Sequence, residues 1–119
     1  MSIEQKHADM VFLLAKPGIA ILASMNEDKA NLWHMATGIA GESGEIIDAI
    51  KKHVAYNKPL DRENVIEELG DIEFYMQGLR DALSITREET LEHNYTKLMT
   101  KRYPNGYSDE AAQARADKA

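Results

Sequence analysis

The chain has 119 residues, a formal net charge of −6 and 44% hydrophobic residues, which fits one globular domain and excludes a disordered chain. Twenty acidic side chains against fourteen basic ones exclude a sequence-independent duplex binder, whose phosphate neutralisation requires clustered Lys and Arg. The absence of cysteine excludes a disulfide framework, a thiolate metal site and a thiol nucleophile.

Every segment reads as helix. Only Pro17, Pro59 and Pro104 punctuate the chain, and no stretch alternates apolar and polar residues for long enough to suggest a strand. A first helix is expected from about Ser2 to Ala15, stopped by Lys16-Pro17-Gly18, since proline disfavours helix in the residue before it. This N-terminal region lacks a basic segment followed by a clean apolar one, and no apolar run approaches the roughly 18 residues of a membrane span. A soluble, cytoplasmic protein is expected. A second apolar stretch, Ile19 to Met25, stops at Asn26-Glu27-Asp28.

The main helix follows, from about Asp28 to Ala55. Leu32, Met35, Ala36, Ile39, Ile46, Ile47, Ile50 and Val54 recur at the gaps of an amphipathic helix. After the loop Tyr56 to Leu60, Asp61 is placed to cap a third long helix, Arg62 to Leu83. Its stripe is Val65, Leu69, Ile72, Met76, Leu79 and Leu83. Thr86 and Glu89 form a capping box for a fourth, expected to end at Tyr103-Pro104-Asn105-Gly106. Residues 1–107 read as one domain. Residues 108–119 read as a charged, Ala-rich tail that is either a short solvated helix or disordered.

The carboxylates stand beside the apolar seams. At about 100° per residue, Glu42 and Glu45 share one flank of the main helix, with Gly38 and His34 one and two turns earlier. Glu68 and Asp71 form a second pair on the third helix, and Tyr75 and Gly78 continue their line. A short connection favours antiparallel packing, which would bring the four carboxylates face to face. Such a group repels itself unless it is protonated or bridged by cations. An all-oxygen set suits Mg²⁺, or Mn²⁺ as a substitute, better than Zn²⁺. The competing reading of either pair is a solvated helix face. Gly38, Gly41 and Gly44 interrupt the same helix at a cost of roughly 1 kcal/mol each relative to Ala. They mark either close helix packing or clearance for a ligand. Glu4-x-x-His7 is half of a di-iron signature without its partner, which argues against a ferritin-like oxidase.

The segment Gly41-Glu42-Ser43-Gly44-Glu45-Ile46-Ile47-Asp48-Ala49-Ile50-Lys51-Lys52, followed by Glu67-Glu68-Leu69-Gly70-Asp71-Ile72, resembles the MazG-like nucleoside triphosphate pyrophosphohydrolases. These belong to the all-α NTP pyrophosphatase group, alongside dimeric dUTPases and dCTP pyrophosphatases. The family pattern is Glu-Glu-x-x-Glu, a variable spacer, then Glu-x-x-Asp. Here 22 residues separate Glu45 from Glu68. The stretches Asn94-Tyr95-Thr96-Lys97-Leu98 and Arg102-Tyr103-Pro104-Asn105-Gly106-Tyr107 are similar to the C-terminal region of short bacterial and phage members. The resemblance spans roughly Leu32 to Tyr107. In one departure, Gly41 replaces the first Glu of the doubled pair.

The resemblance implies an all-α bundle of four to five helices that assembles as a homodimer or homotetramer. It implies hydrolysis of a (deoxy)nucleoside triphosphate to the monophosphate and pyrophosphate by metal-activated water. The positions matching the metal ligands are Glu42, Glu45, Glu68 and Asp71, with Glu42 or Glu45 also able to take the water's proton. Asn94, Lys97 and Arg102 are candidates for the phosphates, and His34, Tyr75 and Trp33 for the base. Lys51 and Lys52 are expected to be solvated or paired with acids. No membrane or nucleic-acid partner is expected. The alternatives are a catalytically inactive helical interaction module and a metal-dependent phosphohydrolase releasing orthophosphate.

Overall fold

The computed structural model describes residues 1–118, which are helical with no strand among them. They fall into two compact units, Met1–Ala30 and Asn31–Ala119.

In the first unit, α1 (Ile3–Leu14) is opened by Ser2, whose hydroxyl accepts the Gln5 N–H at 3.1 Å. The backbone turns extended at Ala15, ahead of Pro17. α2 (Gly18–Ser24) starts immediately after that proline, whose φ of −61° suits a helix entry. The stretch Ile3–Ser24 has a mean hydropathy of 1.3, lies unburied, and is long and apolar enough to cross a membrane by length and composition alone. From Met10 onward Lys16 is the only charge in the stretch, so Lys16-Pro17 divides the run into two helices without lowering its mean hydropathy much.

α3 (Glu27–Ala55) is opened by Asn26, whose Oδ1 accepts the Lys29 N–H at 2.9 Å. α4 (Arg62–Leu83) is capped by Asp61, which accepts from Asn64 N–H at 3.1 Å. It ends at Ser84 in the left-handed region (φ 56°), with the Ile85 N–H returned to the Arg80 carbonyl at 2.9 Å. Thr86 accepts the Glu89 N–H at 3.0 Å and opens α5 (Arg87–Thr96).

The C-terminal part ends its fourth helical segment at Tyr103 and puts a short helix in the tail, both among the expected alternatives, but differs in how each is built. The fourth helix does not run to Tyr103 as an α-helix. It gives way at Lys97 to a π-helical turn, Lys97–Arg102, closed by Tyr103 N–H on the Leu98 carbonyl at 2.8 Å. The tail is folded and docked on this turn. Ser108 caps α6 (Asp109–Ala114), a short 3-10 turn follows (Ala116–Lys118), and Asp117 reaches Arg102.

Among the described residues only Ala49 and Arg80 are buried. The seams are half covered. Leu32, Met35, Ile39, Ile46, Val65, Ile72, Met76 and Leu79 are half-buried, while Ile47, Ile50, Val54, Leu69 and Leu83 are exposed.

Candidate metal centre

α3 and α4 pack antiparallel, and two glycines set how closely. A Cβ on Gly38 of α3 would run into the ring of Tyr75 of α4, and one on Gly78 of α4 would meet the sulfur of Met35 of α3. Tyr75 also meets His34 edge-to-face, with ring centroids 6.0 Å apart, and Phe74 at 5.1 Å. The facing pairs Met35 with Gly78, and Gly38 with Tyr75, run in opposite chain directions. One turn further along α3 the same register sets Glu42 against Glu68 and Asp71.

Those three carboxylates converge, each offering an oxygen within 4.8 Å of the others. Glu42 and Glu68 are half-buried and Asp71 is exposed, so the group sits at the rim of the helix pair. One oxygen of Glu68, Oε2, is enclosed and has no hydrogen-bond partner. Hydrogen bonding with the Glu42 carboxyl lifts the Glu68 pKa to about 7. Desolvation and the negative charges of Glu42, Asp71 and Glu45 push the same way. A proton or a cation is therefore needed to hold the group together near neutrality. The donor set consists of carboxylate oxygens alone, one of them orphaned, which fits a hard divalent cation. Glu45 stands outside the three-carboxylate group, near enough to act on Glu68 through its charge.

Comparison with protein families gives a match over residues 31–107 to the MazG nucleotide pyrophosphohydrolase domain. The chain belongs to the MazG family. No curated protein and no solved structure matches it significantly. Family membership makes this MazG domain a nucleotide pyrophosphohydrolase in general type, of a family that is generally metal-dependent. The matched region contains α4, all of α3 beyond its first turn, and all three converging side chains.

The remaining candidates are dispersed. Trp33 is two-thirds exposed. His34 and Tyr75 occupy the helix junction, where the Tyr75 ring fills the space above Gly38. Asn94 lines an apolar groove with Leu91, Tyr95, Leu98 and Met99. Lys97 lines a separate cavity of about 390 Å³ with Glu89, Glu92, His93, Thr96, Lys101 and Asp117, so carboxylates outnumber lysines there. Arg102 is engaged elsewhere. Its Nη2 donates to the Ala112 carbonyl at 3.3 Å, and its Nε faces Asp117 at 3.6 Å. Lys52 pairs with Asp48 at 3.1 Å and Lys51 lies over the Tyr56 ring, as expected of solvated or paired lysines. Nothing surrounds Gly41 or Gly44 where a Cβ would project, so close packing explains Gly38 and not these two.

Sequence reasoning did not find Asp117. The cap at Ser108-Asp109-Glu110 signals that the tail is ordered, but no local pattern links Asp117 to an arginine fifteen positions earlier.

Proposed function

We propose that this MazG domain hydrolyses nucleoside and deoxynucleoside triphosphates between the α and β phosphates, releasing the monophosphate and pyrophosphate, with Mg²⁺ as its ion and Mn²⁺ as a substitute. The observation that carries this reading is the convergence of Glu42, Glu68 and Asp71 around an orphaned carboxylate oxygen within the matched family domain.

Glu42, Glu68 and Asp71 would hold the ion, with Glu45 at the edge of the set. When bound, the ion polarises the phosphoryl group and makes water a better nucleophile near neutral pH. The chain's own task is to keep its carboxylates ionised and aimed, and to accept the proton the water gives up. Glu45 is the better placed of Glu42 and Glu45 for that acceptance, because it is exposed and lies outside the converging three. Lys97, with Asn94 one turn before it, would take the negative charge of the departing pyrophosphate. Arg102 is a weaker candidate, since the tail already holds its guanidinium. His34, Trp33 and Tyr75 are the groups proposed for the base.

The same reading includes self-assembly as a homodimer or homotetramer. Large apolar side chains stand exposed in each unit, Phe12, Ile19 and Leu22 in the first and Ile47 and Val54 in the second, and a second copy would take them out of water.

A panel of nucleoside and deoxynucleoside triphosphates, run with Mg²⁺ and with chelator while resolving monophosphate from diphosphate, tests the activity. Metal-dependent monophosphate plus pyrophosphate supports it. Diphosphate plus orthophosphate moves the protein to another class of phosphohydrolase. No turnover with any nucleotide favours a helical interaction module, for which the absence of a carboxylate at position 41 is the sequence hint.

A further inference from the structure

α1 and α2 precede the matched residues 31–107, and every residue of both is exposed. From Met10 to Met25, Lys16 is the only charged side chain. Val11, Phe12, Leu13 and Leu14 follow one another, so at about 100° per residue they point to every side of α1. A helix that is apolar all round belongs in a covered environment, not in water. Nine large apolar side chains of this run are exposed, by 37% to 90%. At about 60–120 Å² for a whole side chain, they leave roughly 500 Å² of apolar surface in water.

A bilayer and a protein partner are the two environments that could cover such a run, and the chain's own features oppose the bilayer. The backbone is extended at Ala15 (ψ 130°) and Pro17 (ψ 138°), so helical hydrogen bonding is interrupted midway, and hydrocarbon gives freed backbone groups no partner. Lys16 stands at that same break. Glu4 and Asp9 flank the run on one side and Glu27 and Asp28 on the other, and an anionic lipid surface repels them. A protein partner meets none of these costs. A standard interface buries about 800 Å² on each partner, somewhat over half of it apolar, so the run matches one side of a stable dimer.

Charge points to a second copy of the same segment. Residues 1–30 carry four acids and three bases, a formal net of −1, whereas residues 31–119 carry sixteen acids and eleven bases, a net of −5. Two copies therefore approach through their N-terminal units against less repulsion than through the acidic remainder. We propose that α1 and α2 form a self-association surface of their own, outside the matched MazG residues, and that its occupant is the α1–α2 segment of a second copy. The proposal rests on the reading that the chain self-assembles, and it assigns a contact in that assembly to Phe12, Leu13, Leu14, Ile19 and Leu22.

The experiment is sedimentation velocity over a concentration series, with circular dichroism to report folding. It compares the full chain with a double acidic variant, Phe12→Glu with Leu22→Glu, and a double basic one, Phe12→Lys with Leu22→Lys. Glu and Lys are good helix formers, so the helical signal should hold. Each variant alone should assemble into fewer copies, or need a concentration about tenfold higher or more to reach the same assembly. An equimolar mixture of the two should regain part of the loss, because opposite charges then meet where the two segments touch. If the full chain assembles and both variants assemble equally well, the proposal is overturned, while the assembly reading stands on Ile47 and Val54. A full chain that stays monomeric overturns both. Variants that lose assembly without recovery in the mixture place the run against some other surface and overturn the self-contact. Flotation of the full chain with vesicles of phosphatidylcholine, alone or with phosphatidylserine, overturns the proposal in favour of lipid if it is lost in both variants. Should the double variants fail to fold, Ile19→Glu and Ile19→Lys decide by the same readouts.

Discussion

Glu42 on α3 and Glu68 on α4 stand 26 positions apart in the chain, yet their carboxylates meet across the helix pair within 4.8 Å, with Asp71 beside them. The register that joins them is set one and two turns away, where Gly38 admits the Tyr75 ring and Gly78 admits Met35. The packing that builds the helix pair thus also builds the acidic group.

That meeting makes the metal-free protein acid-stabilised. The Glu68 carboxyl, ordinarily near 4.5, is raised to about 7 in the folded chain. Between those two pH values the folded state keeps a proton that the unfolded state has released, so stability is greatest below the lower value and falls as pH rises through the upper one. Thermal unfolding with chelator should show Tm declining from pH 5 to pH 8. Mg²⁺ competes with that proton and should raise Tm more at pH 8 than at pH 5.5. A metal-free Tm that climbs over this range would contradict the geometry of the group.

Glu68→Gln separates stability from activity. It removes the charge conflict, so the metal-free variant should be at least as stable as the parent at pH 8 and lose the Mg²⁺-dependent rise in Tm. Turnover should fall by about 10²-fold or more, and Glu45→Gln and Asp71→Asn should lose activity similarly with their helical circular dichroism intact. Loss of fold in these variants would mean that the carboxylates are structural.

Four of the five glycines of the helix pair should respond unequally to Ala. Gly38→Ala forces a Cβ against the stiff ring of Tyr75 and should cost about 1–3 kcal/mol, the range for overpacking. Gly78→Ala meets the flexible end of Met35 and should cost less. Gly41→Ala and Gly44→Ala project into open space and should stabilise the helix by up to about 1 kcal/mol each. Urea denaturation of the four variants orders them.

Assembly should appear in the concentration dependence of stability. Only Ala49 and Arg80 are buried among the described residues, so Tm should rise with protein concentration and light scattering at micromolar concentration should give a multiple of 13.4 kDa. A monomer with a concentration-independent Tm would leave the exposed apolar residues of α1 to α3 without the partner proposed for them.

What the sequence by itself determined about this protein is its local structure and its family. Apolar periodicity, the capping residues Asp61 and Thr86, and the stop at Pro17 act over a few residues, and each is visible in a short window. The two acidic pairs are legible for the same reason, being three positions apart on their own helices. The tertiary structure decided which of those carboxylates meet, because the helix register depends on how Tyr75 and Met35 fit against Gly38 and Gly78, and a one-turn slip would preserve both sequence patterns while separating Glu42 from Glu68. It also decided that α5 gives way to a π-helical turn and that Arg102 belongs to the tail. The second rests on Asp117 and Ala112 arriving from a segment ten to fifteen residues away, and local propensity is blind at that distance.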